Sequence, residues 1–404
     1  DVVRQAGITQ GGLASQRSSV AAWDRETGEP LAPVISWQDR RAADWLTQFV
    51  EYTPIIKEKT GLPLSPHYGA SKLRWLLDNG PAVQQARQDG RLAFGPLASF
   101  LLFHLLRDKP FLADHANANR TQLWHIDYRD WDPWLLDLFG ISGELLPTCR
   151  PIVHEYGRMA LADVPVTAVN GDQNAAVYAL GRPERDTAVI NLGTGAFVLV
   201  STGRRRVSHP ALLTGLTSSN AFVGEYTLEG TVNGAGSALS WAGEQWGIPD
   251  IPTHLDEWLT RPEEPPIFLN SIGGLGSPFW RPGPEPAIVG EGEPWQRIVA
   301  VAESILFLVQ INLDEMRAAG ATVRRIHVSG GLAQADNLCQ RLADLSGCPV
   351  YRPQVTEATA RGAAWLATGR PSHWPELQPG KQFVPRPNAA LTDRYWRFRE
   401  LMGL

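Results

Sequence analysis

Two neighbouring stretches decide the fold of this sequence, PVTAVNGDQNAAVYAL at residues 165–180 and TAVINLGTGAFVLVST at residues 187–202. The first is rich in β-branched residues, ends on Gly171-Asp172-Gln173, and is followed by small residues that favour the start of a helix. This pattern predicts that Asp172 lies at the carboxyl end of a strand. Because ligands of open α/β sheets bind outside such strand ends, Asp172 is a candidate active-site residue.

The second stretch predicts two strands joined by a turn at Gly193-Thr194-Gly195. Glycine on both sides of Thr194 allows positive φ and removes side chains, so backbone N–H groups and the Thr194 hydroxyl could surround a phosphate group. Taken alone, a GTG sequence is explained better by a plain tight turn than by phosphate binding. Other motifs must therefore support any assignment of this turn to a phosphate site.

Outside these stretches, short strand patterns alternate with longer helix patterns. The pattern predicts strands at Gly12–Trp23 and Val34–Trp37, and helices at Asp39–Phe49, Ser71–Asp78 and Trp295–Ala319. Alternation of this kind is typical of α/β proteins. The sequence therefore predicts an α/β fold.

Length and composition restrict the class of protein. The chain has 404 residues, whereas one domain has roughly 150, so we expect two lobes. Hydrophobic residues at 43% and charged residues at 20% are typical of a globular protein. A formal charge of -5 gives no basic surface for nucleic acid or an anionic membrane, and no apolar stretch reaches the roughly 18 residues of a membrane span. A small molecule is the expected partner.

The sequence has three widely separated cysteines, Cys149, Cys339 and Cys348, without a CxxC pair. This spacing is typical neither of a disulfide framework nor of a thiolate zinc site. We therefore expect a cytoplasmic protein with reduced cysteines.

A series of motifs spans nearly the whole chain, from about Gly12 to Arg370. In order they are ASQRSSVAAWDRETGEPLAPVISWQDRRA, TGLPLSPHYGASKLRWLLDN, ANANRTQLWHIDYRDWD, GDQNAA, NLGTGAF, LEGTVNGAGSALSW, GGLGSPFW and SGGLAQADN. This series resembles the FGGY carbohydrate kinases, and the glycerol kinase branch is the most similar. The resemblance implies an α/β fold of two actin-like, ribonuclease-H-like lobes around an interlobe cleft.

The resemblance also implies an activity and a division of the chain. Residues 1–182 would form a substrate-binding lobe and residues 183–404 a nucleotide-binding lobe. The expected reaction is ATP-dependent phosphorylation of a hydroxyl of a small polyol or sugar, with Mg²⁺ as a second cofactor and a homodimer or homotetramer as a compatible assembly. The family's opening DxGT phosphate loop is not found, so the first lobe is expected to lack its N-terminal strands. An actin-like ATPase and an inactive, binding-only fragment are alternatives.

Individual residues resemble the family's functional positions. Asp172 resembles the catalytic base, which takes the proton from the attacking hydroxyl; the alternative is an N-cap of the following helix. The implied substrate-binding residues are Arg17, Ser18, Trp37, His67, Gln173 and Phe197. The implied nucleotide-binding residues are Gly193, Thr194, Gly195, Gly236, Ser240, Gly330 and Gly331. Trp37 and Phe197 fit an ordinary core equally well, Gly236 also fits helix packing, and no residue is assigned as a metal ligand.

Two positions depart from the glycerol kinases. Those enzymes carry a glutamate after the arginine that Arg17 resembles, whereas this sequence has Ser18, and His67 aligns with their substrate tyrosine. A serine hydroxyl offers neighbouring hydroxyls a weaker acceptor than a carboxylate does. Glycerol is therefore in doubt as the substrate, and a tetritol, a pentitol or a ketose is an alternative.

Overall fold

The computed structural model describes residues 7–354, 357–375 and 378–404, and its first half alternates strands with helices. The strands are β1 (Gly11–Ser15), β2 (Val20–Asp24), β3 (Leu92–Pro96), β4 (Leu112–Asp114), β5 (Trp124–His125), β6 (Asp130–Trp131), β7 (Thr148–Arg150), β8 (Val153–Arg158) and β9 (Pro165–Gly171). The α-helices are α1 (Ala43–Leu46), α2 (Thr53–Thr60), α3 (Gly69–Asn79), α4 (Pro81–Gln88), α5 (Leu97–Leu105), α6 (His115–Asn119), α7 (Pro133–Leu138) and α8 (Asp172–Ala176). Short 3₁₀ turns lie at Thr47–Tyr52 and Gly143–Leu145.

The second half continues the alternation, which confirms the α/β prediction. The strands are β10 (Thr187–Leu192), β11 (Ala196–Gly203), β12 (Leu213–Ser219), β13 (Gly224–Val232), β14 (Ile267–Leu269), β15 (Ala287–Val289), β16 (Arg325–Ser329), β17 (Val350–Arg352) and β18 (Lys381–Phe383). The α-helices are α9 (Gly236–Trp246), α10 (Ile251–Trp258), α11 (Pro294–Ala318), α12 (Asp336–Ser346), α13 (Ala358–Ala367) and α14 (Ala389–Met402). A 3₁₀ turn lies at Gly331–Gln334.

The largest sheet belongs to the second half and has the strand order β12-β13-β11-β10-β16-β17-β18. β11 is antiparallel to both β10 and β13, whereas β10, β16 and β17 run parallel. Apolar side chains of β10 and of the long helix α11 are buried in one shared core. Within this sheet, the inner strands β13, β11 and β10 are antiparallel and are followed by β16 and β17, parallel to β10; this arrangement agrees with the ribonuclease-H-like lobe that the resemblance implies.

A smaller sheet, ordered β1-β9-β8, positions the first half's share of the site. β1 runs parallel to β9, and their last residues, Ser15 and Gly171, are register partners. Because the two strands end at the same edge of the sheet, the residues that follow them come together there. Those residues include Arg17 and Asp172.

The strand predicted at Gly12–Trp23 is interrupted. Residues 16–19 form a turn, and Ser18 has a φ of 65°, which lies outside the range of a strand. After this turn the chain continues as β2, which pairs with β3 and not with β9. The turn leaves Arg17 and Ser18 at the end of the sheet instead of within it.

Two other predicted elements also differ. The strand predicted at Val34–Trp37 is reduced to one isolated bridge, between Ile35 and Val20. The helix predicted at Asp39–Phe49 begins only at α1, because the Asp39 carboxylate accepts hydrogen bonds from both the backbone and the guanidinium of Arg41 and holds the chain in a turn.

Helix α13 of the second half packs against β1, β9 and α8 of the first. Gly362 lies so close to α8 that a Cβ atom there would overlap the carbonyl oxygen of Ala175. The Thr359 hydroxyl of the same helix donates a hydrogen bond to the backbone carbonyl of Asp172 at 3.2 Å. Helix α13 therefore fixes the start of α8, and with it Asp172.

We expect Gly362→Ala to lower the free energy of unfolding by about 1–3 kcal/mol, because the added methyl group must push α8 and α13 apart. Chemical denaturation would measure the change. Gly11→Ala is the matched control, since a Cβ at Gly11 would meet no described atom nearer than the Pro165 carbonyl oxygen at 3.9 Å. This control should stay within about 0.5 kcal/mol of wild type. Equal stability of the two variants would show that α8 and α13 accommodate the added methyl group without loss of stability.

Candidate active site

A buried ion triad joins the two halves of the chain at the edge where β1 and β9 end. The Arg17 guanidinium forms two parallel hydrogen bonds with Glu229 of β13, from Nη1 to Oε2 at 2.8 Å and from Nη2 to Oε1 at 2.9 Å. Glu229 also accepts a hydrogen bond from Arg120, which follows α6. All three side chains are buried, with exposed fractions of 7% or less. The triad of Arg17, Arg120 and Glu229 is thus shielded from water.

The charges of the triad determine the ionisation of its carboxylate. Burial would raise the pKa of Glu229, but the nearby charges of Arg120 and Arg17 outweigh burial and lower this pKa to about 2. Glu229 is therefore ionised at neutral pH. It offsets one of the two buried arginine charges, and Asp172 lies beside the other.

Asp172 is the first residue of α8 and lies next to Arg17. Its Oδ1 atom is 3.8 Å from Arg17 Nε and accepts a hydrogen bond of 2.7 Å from the backbone N–H of Gln173. The N-cap position of α8 is occupied by Gly171, so the interpretation of Asp172 as an N-cap is wrong. The Asp172 side chain is 35% exposed, which leaves oxygen lone pairs accessible to a ligand.

Arg17 keeps hydrogen-bond donors for a ligand. Nη1 uses both of its N–H groups, on Glu229 and on Asn174 Oδ1 at 2.8 Å, whereas Nη2 uses one, on Glu229. A guanidinium has five N–H groups. The Nε–H and one Nη2–H therefore form no hydrogen bond with any described residue, and the Nε–H lies beside Asp172.

Three predicted substrate residues of the first half lie around one point. The carbonyl oxygens of Ser18, Trp37 and His67 all lie within 3.4 Å of a single atom, Lys72 Nζ. The Trp37 and His67 rings meet edge to face with centroids 5.4 Å apart. The Ser18 hydroxyl is buried and has no hydrogen-bond partner among the described residues. Burial, together with the charges of Lys72 and Arg120, lowers the pKa of His67 to about 3, so this imidazole is neutral.

The second half contributes Phe197, whose ring centroid is 5.9 Å from the Arg17 guanidinium carbon. Phe197 and Trp37 are half-buried, and Phe197 also packs against a hydrophobic core cluster. Gln173 is also half-buried, and its backbone N–H holds the Asp172 carboxylate. The structure therefore brings Phe197 and Gln173 to the same place as Arg17 and Asp172.

A cavity of about 1380 Å³ lies in the second half, between α9, α10 and the turn after β10. Five of the predicted nucleotide-binding residues line it: Gly193, Thr194, Gly236, Ser240 and Gly331. Apolar side chains, among them Trp241 and Ile248, cover another part of the wall. Gly195 and Gly330 do not line the cavity and instead support its edge.

The glycines at this cavity are needed mainly for close approach. Gly193 and Gly195 do not have positive φ, so this part of the turn prediction is wrong. A Cβ at Gly236 would lie 2.8 Å from the Gly193 carbonyl oxygen, and a Cβ at Gly330 would lie 2.5 Å from the Leu192 carbonyl oxygen. These contacts hold α9 and the end of β16 directly against the turn. Helix packing is thus one real function of Gly236.

The turn at Gly193-Thr194-Gly195 keeps free donors. The Thr194 carbonyl accepts hydrogen bonds from the backbone N–H and the hydroxyl of Ser237, at 3.0 and 3.1 Å. The N–H groups of Thr194 and Gly195 form no hydrogen bond with another described residue. Backbone N–H groups held in this way can bind phosphate oxygens.

Comparison with known proteins identifies the family. Models of the FGGY family of carbohydrate kinases match residues 3–179 with the N-terminal domain and residues 188–369 with the C-terminal domain. The chain belongs to the FGGY family of carbohydrate kinases. The resemblance in the motifs is therefore confirmed. This FGGY kinase is an enzyme that uses ATP to phosphorylate a small sugar or polyol, and the actin-like ATPase alternative is not favoured.

Individual relatives point to one branch. The chain is 34% identical to the glycerol kinase of Brucella ovis in an alignment 392 positions long that covers 92% of this chain and 79% of that protein. It is also 34% identical to the glycerol kinase of Thermus brockianus in an alignment 425 positions long that covers 98% of this chain and 85% of that protein. The crystal structure of Plasmodium falciparum glycerol kinase with ADP matches with a TM-score of 0.88 at 26% identity, covering 98% and 84%. The fold of this FGGY kinase is therefore the actin-like, two-lobed one.

Sequence reasoning missed three residues that shape the site of this FGGY kinase: Arg120, Asn174 and Glu229. Glu229 is the only charged residue within the strand segment TLEGTV, and Arg17 is likewise the only charge between Gly12 and Trp23. Asn174 follows Asp172 in the GDQNAA motif and donates a hydrogen bond to the Leu216 carbonyl at 2.6 Å. The sequence could have indicated these residues, but not that they contact one another.

The described residues of this FGGY kinase contain no helix with the length and hydropathy needed to span a bilayer. They also contain no cluster of three or more His, Cys, Asp or Glu side chains able to hold a metal ion.

Proposed function

We propose that this FGGY kinase transfers the γ-phosphoryl group of ATP to a hydroxyl of a small polyol or sugar, with Asp172 as the general base. The observation that carries the proposal is the partly exposed Asp172 carboxylate, 3.8 Å from an arginine that retains two free donors. Arg17 would bind one hydroxyl of the substrate while Asp172 takes the proton from its neighbour. A placed base of this kind contributes about 10²- to 10⁴-fold in rate.

The remaining residues would hold and orient the reactants. Trp37 and Phe197, from the two halves, would contact the carbon chain of the substrate from either side. The Thr194 turn would bind phosphate oxygens through its free N–H groups, with Gly236 and Gly331 allowing the nucleotide to lie close to α9 and β16. Positioning and charge stabilisation account for most of the catalysis in phosphoryl transfer.

Magnesium fits this arrangement. The described residues that line the large cavity include Glu244 and Asp250 but no lysine or arginine to offset the phosphate charges. A Mg²⁺ ion bound with the nucleotide, held largely by phosphate oxygens and water, would supply that charge.

A substrate panel tests the proposal. Purified protein with Mg²⁺-ATP would be tested with C3 to C6 polyols and ketoses, with ADP release and the phosphorylated product measured separately. We expect stoichiometric product from at least one compound. ADP release that no compound stimulates would overturn the proposal, because an ATPase without an acceptor does not need the Arg17–Asp172 pair.

Ser18 supports a substrate other than glycerol, since its buried hydroxyl has no hydrogen-bond partner among the described residues and stands where glycerol kinases carry a carboxylate. We expect Ser18→Glu to raise kcat/KM for glycerol at least about tenfold, because a carboxylate accepts charge-assisted hydrogen bonds from two adjacent hydroxyls. Steady-state kinetics with glycerol would measure the change.

A second variant, changed at both Ser18 and His67, extends the test of substrate choice. If the imidazole obstructs the enlarged side chain, Ser18→Glu with His67→Tyr should accept glycerol where the single change does not. Ser18→Ala is the matched control and should not gain activity on glycerol. A wild-type preference for glycerol over every longer polyol and ketose would contradict the role assigned to Ser18.

A cytoplasmic location and a homodimeric or homotetrameric assembly are also part of the proposal. The three cysteines are all free, which suits a reducing compartment. Light scattering during size-exclusion chromatography would determine the assembly.

A further inference from the structure

Lys72 of α3 is a buried cation beside Ser18, Trp37 and His67. The residue is 1% exposed. Nζ lies 3.1 Å from the carbonyl oxygen of Ser18, 3.4 Å from that of Trp37 and 2.5 Å from that of His67. The lysine therefore contacts three separate segments of the chain: the turn after β1, the loop before α1 and the loop before α3.

The chemistry of an ammonium group matches this environment. A protonated lysine has three N–H donors and no acceptor, and three carbonyl oxygens surround it. The carbonyl oxygens of Ser18, Trp37 and His67 all lie within 3.4 Å of this one atom, which adds to the bridge between Val20 and Ile35 and to the hydrogen bond from the Trp37 N–H to the Ser19 hydroxyl. Because a buried carbonyl without a partner is costly, removal of Nζ destabilises the arrangement of all three carbonyls at once.

The three segments share a second property. Each carries a residue that the proposed function places against the substrate, and the side chains of Trp37 and His67 are in edge-to-face contact. We propose that Lys72 is a positioning residue: its ammonium group holds the Ser18, Trp37 and His67 segments together and thereby sets the shape of the substrate pocket. This inference rests on the proposed function, since it assigns the pocket to the acceptor substrate.

The charge state of Lys72 gives the inference a pH dependence. Burial lowers the pKa of Lys72 to about 7; the Asp39 carboxylate raises this pKa to a smaller extent, and the Arg40 guanidinium lowers it further. The facing His67 imidazole is neutral. Below this pKa the ammonium group can donate to all three carbonyls. Above it the neutral amine has two N–H groups, so one segment loses its bond.

The first test replaces the ammonium group. Lys72→Met should raise both the Kd and the KM for the best substrate of the panel at least about tenfold. Its kcat and its KM for ATP should change less than about threefold. Calorimetry would measure the Kd, and steady-state kinetics the other constants. A general loss of structure would change all four constants. Lys57→Met is the matched control, because Lys57 is also partly buried and donates to a carbonyl, but to that of Leu212 at 2.8 Å. This control should bind the substrate as wild type does.

The second test uses wild-type protein and does not depend on folding of the variant. Between about pH 6 and pH 8.5 the substrate Kd of wild type should rise at least about threefold as Lys72 loses its proton, and Lys72→Met, where it folds, should show no such rise. A Lys72→Met protein that binds substrate like wild type, or a wild-type Kd independent of pH over this range, would overturn the inference. Failure of the proposed function is distinct, because wild type itself would then phosphorylate no compound of the panel.

Discussion

Asp172→Asn is expected to lower kcat at least about 100-fold while the Kd for the acceptor substrate stays within about threefold of wild type. Asparagine keeps the volume of aspartate and can still accept the 2.7 Å hydrogen bond from the Gln173 backbone. It cannot take a proton from a hydroxyl group. The loss should therefore appear in the chemical step, which single-turnover kinetics with Mg²⁺-ATP and calorimetry of substrate binding would separate from binding.

The control for this experiment is Asp163→Asn. Asp163 is also an aspartate near one end of β9, but it is 58% exposed and pairs with Arg107 and Arg158 at the surface. We expect full activity from this variant. An Asp172→Asn enzyme that retained more than about a third of wild-type kcat would remove Asp172 from the mechanism.

The position of Asp172 could be predicted from sequence because it depends on local pattern. A β-branched run, a glycine and then small helix-forming residues indicate a strand that ends at Asp172, and β9 and α8 confirm this boundary. The N-cap alternative could not be decided in the same way. It required the backbone geometry that places Gly171, and not Asp172, at the N-cap.

The turn at residues 16–19 shows where local pattern fails. The sequence from Gly12 to Trp23 predicts one strand, but Ser18 has a φ of 65°. This conformation depends on tertiary contacts, including the bond from Lys72 to the Ser18 carbonyl. Without the fold, no feature of the sequence distinguishes Ser18 from a strand residue.

The sequence also does not predict which residues far apart in the chain contact each other. Arg17 and Glu229 are each the only charged residue in their strand-like stretch, GLASQRSSVAAW and TLEGTV. Their bidentate contact joins residues 212 positions apart in the chain. Such a contact is set by how the two lobes meet, which a single sequence does not encode as a local pattern.

The second large effect is expected at Glu229. Glu229→Gln should lower the free energy of unfolding by about 3–5 kcal/mol, because it removes the buried carboxylate that both Arg17 and Arg120 contact and leaves only the partly exposed Asp172 beside Arg17. It should also weaken substrate binding, since Arg17 loses one of the carboxylates that hold its guanidinium. Urea denaturation monitored by tryptophan fluorescence would measure the stability.

An exposed ion pair is the matched control. Glu184 and Arg325 lie 2.8 Å apart, with side chains 66% and 42% exposed. Water already solvates both groups, so Glu184→Gln should change the free energy of unfolding by less than about 1 kcal/mol. A loss at Glu229 no larger than the loss at Glu184 would show that water reaches the triad.

The pKa of Glu229 adds a pH signature to the same prediction. Because its pKa falls from 4.5 to about 2 on folding, the stabilisation is complete above about pH 4.5 and is lost as the pH falls toward about 2. Between about pH 5 and pH 3 the stability of wild type should therefore fall more steeply than that of Glu229→Gln, which has no carboxyl group to protonate at this position. The two arginines keep their charge over this range, so the difference between the two slopes reports on Glu229 alone. Equal slopes would mean that Glu229 is not held as a carboxylate between Arg17 and Arg120.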